Sequence, residues 1–443
     1  MDRYFEKYRS AIKDSMTELQ FAWNILAPLV EKIKCGHTSV SFSKGYKKWA
    51  VGKRFPGFPL YMKFWNDTMA VIYNLDSSNH QFKRGTIIKS INGINANGFV
   101  AKMSDYLPTD GNSENINFIR ISANFPYYHR NIYGLSNKYA VQYIDSLGNL
   151  KMDSIPLYTY LKDSARKDSL VKVKEKKKEK PKVKRIEQVR LLKIDSSGKF
   201  AVMTLNSFSE GRLRTFFRRS FKELEEKQVP ALILDIRGNG GGRVSWSLLL
   251  TRYISRSSFR FCDSAFSNVK SLAPYSRYIT GSFFNNLQMF FMTHKEKDGN
   301  YHIRAMEKRN RYPKTNHHYN GKVYVLINGP TFSAASIFAN LIKGQEGITL
   351  IGEETGGGWY GNNGILIPDI VLPNTHLKVR LPLYRIVQYR HVPEKGTGVM
   401  PDVYVPTNYD ALKNGIDQKM EMVKQLILQE TPNLSESGID PHP

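Results

Sequence analysis

Two cysteines, Cys35 and Cys262, are all that the 443 residues contain. They allow at most one disulfide, so no cystine scaffold holds the chain together. Neither sits in a metal-ligand spacing, and no metal or cofactor is expected. Long apolar runs are also missing. Nothing approaches the ~20 residues that cross a bilayer. No charged segment followed by an apolar one marks a signal peptide. The chain opens instead inside an amphipathic helical pattern, Tyr4, Phe5, Tyr8, Ile12, Met16, Leu19, Trp23, Leu26. That opening leads us to expect an export signal and an earlier helix upstream. Acidic residues are scarce beside basic ones, 39 against 65, which leaves a net charge of +26. Such a surface attracts anionic lipid, cell-wall polymer or nucleic acid. There is no nucleic-acid motif and no interleaving of aromatic and basic residues, so a specific nucleic-acid partner is excluded. A basic surface without a dedicated partner is the simplest account, and membrane or cell-envelope association the alternative.

What the chain does have is apolar and aromatic residues, 41% and 12%, enough to bury a sizeable core. Its length suits two or three domains. Two stretches stand out. Gly321 to Gly358 reads as a buried strand (Val323 to Ile327), a tight turn, a helix from Ser333 to about Lys343, and a second strand (Ile348 to Gly352). Ile337, Phe338, Leu341 and Ile342 make one apolar helix face. Ser333 therefore lies at a helix N-terminus, where unpaired N–H groups and the helix dipole favour negative charge. A serine there is either a simple N-cap or a hydroxyl placed to carry a developing anion. The second stretch is the strand Ala231 to Ile236, followed by Arg237-Gly-Asn-Gly-Gly-Gly242 and a helix beginning near Val244. Its glycines let backbone amides approach a ligand closely. A phosphate cradle is one reading, weakened because no Lys-Ser/Thr follows the loop. An oxyanion hole is the other.

Asp235-Ile-Arg-Gly-Asn-Gly-Gly-Gly242, Thr331-Phe-Ser-Ala-Ala335, Ile351-Gly-Glu-Glu-Thr355, Gly398-Val-Met-Pro-Asp402 and Gly36-His-Thr38 stand in the order found in the C-terminal-processing (tail-specific) serine peptidases and their tricorn-like relatives. The sequence resembles that family, and more closely its tricorn-like branch. The resemblance implies a crotonase-like layered α/β catalytic core and a serine peptidase acting on peptides or unfolded proteins. It also implies a periplasmic or otherwise extracytoplasmic protein, either free or anchored to the membrane through an upstream segment. Ser333 would be the nucleophile and His37 the general base. Amides of Gly241 or Gly240 and of Ala334 would form the oxyanion hole. Glu394 would orient the imidazole. Tail-specific members place a lysine base 25 residues after the serine, which falls here on Gly358, so a Ser–Lys pair is excluded at that site. A catalytically inactive relative that binds a peptide or small ligand is the alternative function.

The chain divides accordingly into five parts. Residues 1–38 are an N-terminal helical segment ending in the Gly-His-Thr motif. Residues 39–162 are a PDZ-like β-rich module, in which Phe82 to Gly93 resembles the family's turn, Ala96 to Leu107 is a helix, and 117–162 continues as aromatic-rich strands. Residues 163–187 are a basic low-complexity linker, since Arg166 to Arg185 carries eleven basic and three acidic residues. Residues 188–430 are the α/β peptidase core, with 253–320 read as an insertion over the active site. Residues 431–443 are a disordered tail. The oligomeric state is not encoded in any motif.

Overall fold

The apolar runs of the second half of the chain become a six-stranded sheet. Its order is Val403–Tyr404, Ile348–Gly352, Lys322–Ile327, Ala231–Asp235, Phe200–Leu205 and Arg190–Ile194. Every neighbouring pair is parallel except the last, a hairpin turned at Asp195 to Gly198. The computed structural model describes residues 2–76, 78–160, 182–389 and 396–430. Central strands such as Ala231–Asp235 are apolar and buried up to their last residue because both faces of the sheet are covered. On one face lie the helices Leu213–Glu226, Val244–Ile254 and Ala334–Ile342. Their Phe217, Phe221, Leu250, Ile254, Phe338 and Ile342 pack on Leu232, Leu234, Val323 and Val325. On the other face, Val423 and Ile427 of the helix Gln418–Glu430 cover Ile233, Tyr324, Leu326 and Ile351.

The first half builds a separate five-stranded antiparallel sheet in chain order: Leu60–Trp65, Thr68–Asn74, Ile87–Ile91, Lys138–Ile144 and Leu150–Pro156. The helices Ala96–Ser104 and Asn115–Tyr133 pack on it. The second of these helices corrects the expectation of strands from residue 117 onward. Phe118, Ile121, Phe125 and His129 recur at helical spacing and face the module's core. Their aromatic and β-branched character reads locally as strand, and Pro126 reads as a breaker. The helix absorbs the proline at a kink, where Asn124 takes φ −139° and ψ 28°.

A third sheet links residues 253–320 to the rest. It runs His294–Lys295, Tyr301–His302, Cys262–Ser267, Tyr384–Gln388 and Gly361–Ile365. The helix Ser282–Met292 in this region holds Phe283, Phe284, Phe290 and Phe291 out to solvent. The N-terminal segment forms Asp2–Ser10 and then Glu18–Phe21, continuing through Ala22–Leu26 into Ala27–Glu31. It joins the second half of the chain by a three-residue strand, Ser39–Ser41, antiparallel to Lys378–Arg380. Residues 182–187, expected as linker, are helical within Lys182–Val189. The remainder of that linker and the tail after residue 430 lie outside the described residues. Among the described residues, no helix is long and apolar enough to cross a membrane.

Candidate active site

Ser333 sits between the strand Lys322–Ile327 and the helix Ala334–Ile342, with φ 54° and ψ −121°. A positive φ on a β-carbon-bearing residue is strained and is held by its surroundings. The turn is tied down by backbone bonds. The Phe332 amide donates to the Asn239 carbonyl at 3.1 Å, and those of Gly356 and Gly357 donate to the Thr331 carbonyl. The Thr331 hydroxyl donates to the Ile236 carbonyl. Ser333 makes no side-chain cap for the helix it precedes. Its Oγ lies 2.9 Å from Nε2 of His37, a residue 296 positions earlier.

His37 reaches this point because the chain before it is pinned to the serine turn. A Cβ at Gly36 would come within 2.7 Å of the Phe332 ring, so only glycine fits there. The His37 and Phe332 rings lie 4.7 Å apart, centre to centre. The strand Ser39–Ser41 then carries the chain away. The His37 side chain is only 8% exposed. That burial pushes its pKa below the ordinary value, while the nearby Asp110 carboxylate pulls the other way.

Sequence reasoning missed Asp110. It lies 4.0 Å from His37 Nδ1, and its carboxylate accepts the Gly36 amide at 2.7 Å and the Gly358 amide at 3.3 Å. Burial raises its pKa, and His37 and the two amides oppose the rise. No motif announces it, since it stands in a loop before the helix Asn115–Tyr133; a Thr-Asp-Gly turn is its only local mark. Glu394 lies outside the described residues. Gly358 leaves no room for a lysine, because a Cβ there would meet the Gly361 carbonyl at 2.6 Å.

The glycine loop lies against the serine. A Cβ at Gly241 would fall 2.7 Å from Ser333 Cβ and 3.0 Å from the Ala334 amide nitrogen, and its φ is +96°. The structure differs from expectation in one respect: the Gly241 amide donates to Asn239 Oδ1 at 2.9 Å. Asn239 is fully buried, and its Nδ2 donates to the Leu205 carbonyl, which fixes the loop. The Gly240 and Ala334 amides have no hydrogen-bond partner among the described residues. Gly364, on the strand Gly361–Ile365, faces the serine–histidine pair. A Cβ there would sit 3.1 Å from His37 Nε2 and 3.4 Å from Ser333 Oγ.

The other motifs act as struts. Asp235 accepts from Arg237, which also bridges to Asp417. Asp402 accepts the Leu350 amide and pairs with Lys343. The Thr355 hydroxyl accepts the Val399 amide. Cys35 and Cys262 are both free and buried. Cys35 Sγ accepts from Asn363 Nδ2 at 3.4 Å. Beside the site, a cavity of about 660 Å³ is lined by Lys34, Asp110, Asn362, Asn363, Tyr384 and Thr397 among others.

Residues 199–405 match peptidase family S41. No curated protein matches the sequence. Among solved structures, mature CPAF complexed with lactacystin is similar to 97% of this chain over 92% of its own length, with 13% identity and a TM-score of 0.64. Mature CPAF alone gives 12% identity over the same shares of both chains and a TM-score of 0.63. At that identity the likeness is one of fold. The photosystem II D1 C-terminal processing protease also aligns, over 92% of this chain and 89% of its own, but at 14% identity and a TM-score of 0.36 it carries no argument.

Proposed function

We propose that this chain, whose residues 199–405 match peptidase family S41, is a serine-type peptidase that cleaves peptide bonds with Ser333 as nucleophile and His37 as general base. The observation that carries the reading is the 2.9 Å approach of His37 Nε2 to Ser333 Oγ, on a serine held in a strained turn. Ser333 Oγ attacks the substrate carbonyl as its proton passes to His37 Nε2. The imidazolium then returns that proton to the leaving amine. For Nε2 to accept, the ring proton must reside on Nδ1, the side that faces Asp110. We assign Asp110 the orienting role first sought at Glu394. Its carboxylate stabilises the imidazolium as the charge forms.

The oxyanion is received by the Ala334 amide, at the head of its helix, and by the Gly240 amide. Gly241 contributes close approach rather than its own N–H, which Asn239 holds. We read the five-stranded unit as a PDZ-like module. Its edge strand Leu150–Pro156 exposes Leu150 and Met152 and can take an extended peptide as a further strand. The layered core we read as crotonase-like. We place the activity outside the cytoplasm, at the cell envelope, on the family resemblance and the net charge of +26.

The direct test is labelling with a fluorophosphonate probe, run beside Ser333→Ala and His37→Ala. Labelling of the wild-type chain that both substitutions abolish is the expected result. A folded wild-type protein that takes no label would leave a binding role as the better account.

A further inference from the structure

The Nδ1 side of the His37 ring, which faces Asp110 across 4.0 Å, also faces a third donor that the hydrolytic reading does not use, the Cys35 sulfur. Cys35 Sγ, a ring nitrogen of His37 and an Asp110 carboxylate oxygen all lie within 4.8 Å of one another. Sulfur, imidazole nitrogen and carboxylate oxygen form a donor set suited to zinc, which binds such groups at ~2.0–2.3 Å and closes a tetrahedron with water. Donor atoms around a tetrahedral zinc are roughly 3.5 Å apart, so a contraction of about 1 Å would complete the arrangement.

A second observation points the same way. His37 Nδ1 is buried and has no hydrogen-bond partner among the described residues, and its side chain is more than nine-tenths covered. Buried polar atoms without partners are rare, and each calls for an explanation. The supporting shell is present as well. Asn363 donates to the Cys35 sulfur, and the Gly36 and Gly358 amides hold the carboxylate. Such outer contacts orient metal ligands. The cavity of about 660 Å³ touches both Asp110 and Asn363, which provides an entry path and a source of water for the fourth position.

We propose that Cys35, His37 and Asp110 form an inhibitory site for a thiophilic divalent cation of the zinc class. The inhibitory part of this proposal rests on the reading of His37 as general base; the binding part does not. The proton balance explains why occupation would silence the enzyme. A metal on Nδ1 takes that nitrogen's lone pair, so the ring proton moves to Nε2. The Cys35 thiol gives up its proton to bind as thiolate, and one proton leaves the protein for each cation bound. Nε2 then carries a hydrogen and can no longer accept one from Ser333. The serine stays in place but loses its base.

The test uses the full chain stripped with a chelator and then dialysed. Titration calorimetry of Ser333→Ala with Zn²⁺ alone, in buffers of different ionisation heat, should give one cation bound and one proton released per chain. Co²⁺ in place of Zn²⁺ should show thiolate-to-metal charge-transfer absorption that is lost in Cys35→Ala and kept in Cys262→Ala. Affinity should fall at least about tenfold in Cys35→Ala and in Asp110→Asn. Zn²⁺ should inhibit the wild-type peptidase reversibly. The concentration for half inhibition should rise by at least about tenfold in Cys35→Ala, taken as a fraction of that variant's own activity. Binding that survives Cys35→Ala unchanged, or the absence of any thiolate band, overturns the site. Stoichiometric binding at Cys35 without inhibition of an active wild-type enzyme overturns the tautomer argument. A chain that binds Zn²⁺ as described yet never turns over peptide sinks the peptidase reading and leaves the metal site standing.

Discussion

Replacing Asp110 by Asn removes a charge and leaves an oxygen to accept the Gly36 amide at 2.7 Å, giving up only the longer 3.3 Å bond from the Gly358 amide. The consequence should appear when His37 becomes positive. Two unit charges 4.0 Å apart attract by about 4 kcal/mol at an effective dielectric near 20. That is an upper figure for the imidazolium–carboxylate pair. The carboxylate also shares its field with two amides and with Arg120. If half the attraction is realised, about 2 kcal/mol, the loss is near 30-fold; if all of it is, near 1,000-fold. We therefore expect kcat to fall between about 30- and 1,000-fold in Asp110→Asn, with KM little changed because the carboxylate lies behind the imidazole. A fluorogenic peptide assay in the presence of chelator measures both constants, and a thermal melt checks that the variant is folded. A folded Asp110→Asn enzyme with kcat within about threefold of wild type would refute the assignment.

Three further outcomes follow from distances already given. Ala at Gly240, where a Cβ meets nothing within 4 Å, should change stability by less than about 0.5 kcal/mol; Ala at Gly241, with φ +96° and a Cβ 2.7 Å from Ser333 Cβ, should lower stability by roughly 2–4 kcal/mol and abolish probe labelling. Denaturant midpoints and labelling of the two variants make that comparison. Gly364→Ala would put a methyl group where the reacting carbonyl must lie, and kcat/KM should drop at least about 100-fold with a near-wild-type melt. His129 stands among the rings of Phe58, Phe99, Phe125, Tyr133 and Tyr139, and burial lowers its pKa to about 4. The unfolded chain binds this proton first, so the stabilisation is complete above pH ~6.5 and is lost as pH falls toward 4, about 2.5 kcal/mol between pH 7 and 4.5. Urea unfolding at those two pH values should show a smaller acid loss in His129→Leu; equal losses would contradict the cage argument.

The parts legible in the sequence were those where local pattern and burial agree. The continuous apolar runs within Ala231–Asp235 and Lys322–Ile327 become central parallel strands, and each strand is followed by a glycine-bearing turn and a helix. The closeness of His37 to Ser333 was readable because the Gly36-His-Thr38 motif survives, even though the family match covers only residues 199–405. Asp110 was not readable. It comes to His37 by way of the folded chain, and a carboxylate in a Thr-Asp-Gly turn looks like any loop aspartate. The Gly241 amide was misjudged for a related reason. A glycine loop advertises free N–H groups, but the Asn239 inside it satisfies one of them. The helix Asn115–Tyr133 was misread because Phe, Ile and Tyr favour strands unless their spacing is weighed against a distant core. The helix Ser282–Met292 was not read within the 253–320 insertion, and several of its apolar residues face water rather than a core.

The short pairing of Ser39–Ser41 with Lys378–Arg380 sets a condition on the whole enzyme. The imidazole rides on a segment held by three paired strand residues on one side and by the Gly36–Asp110 and Lys34–Gly111 bonds on the other, whereas the serine rides on a six-stranded core. Partial opening at that seam requires far less free energy than global unfolding. Mild denaturant ought thus to silence turnover while the hydroxyl stays in place, and rejoining the seam would rearm it without refolding the rest.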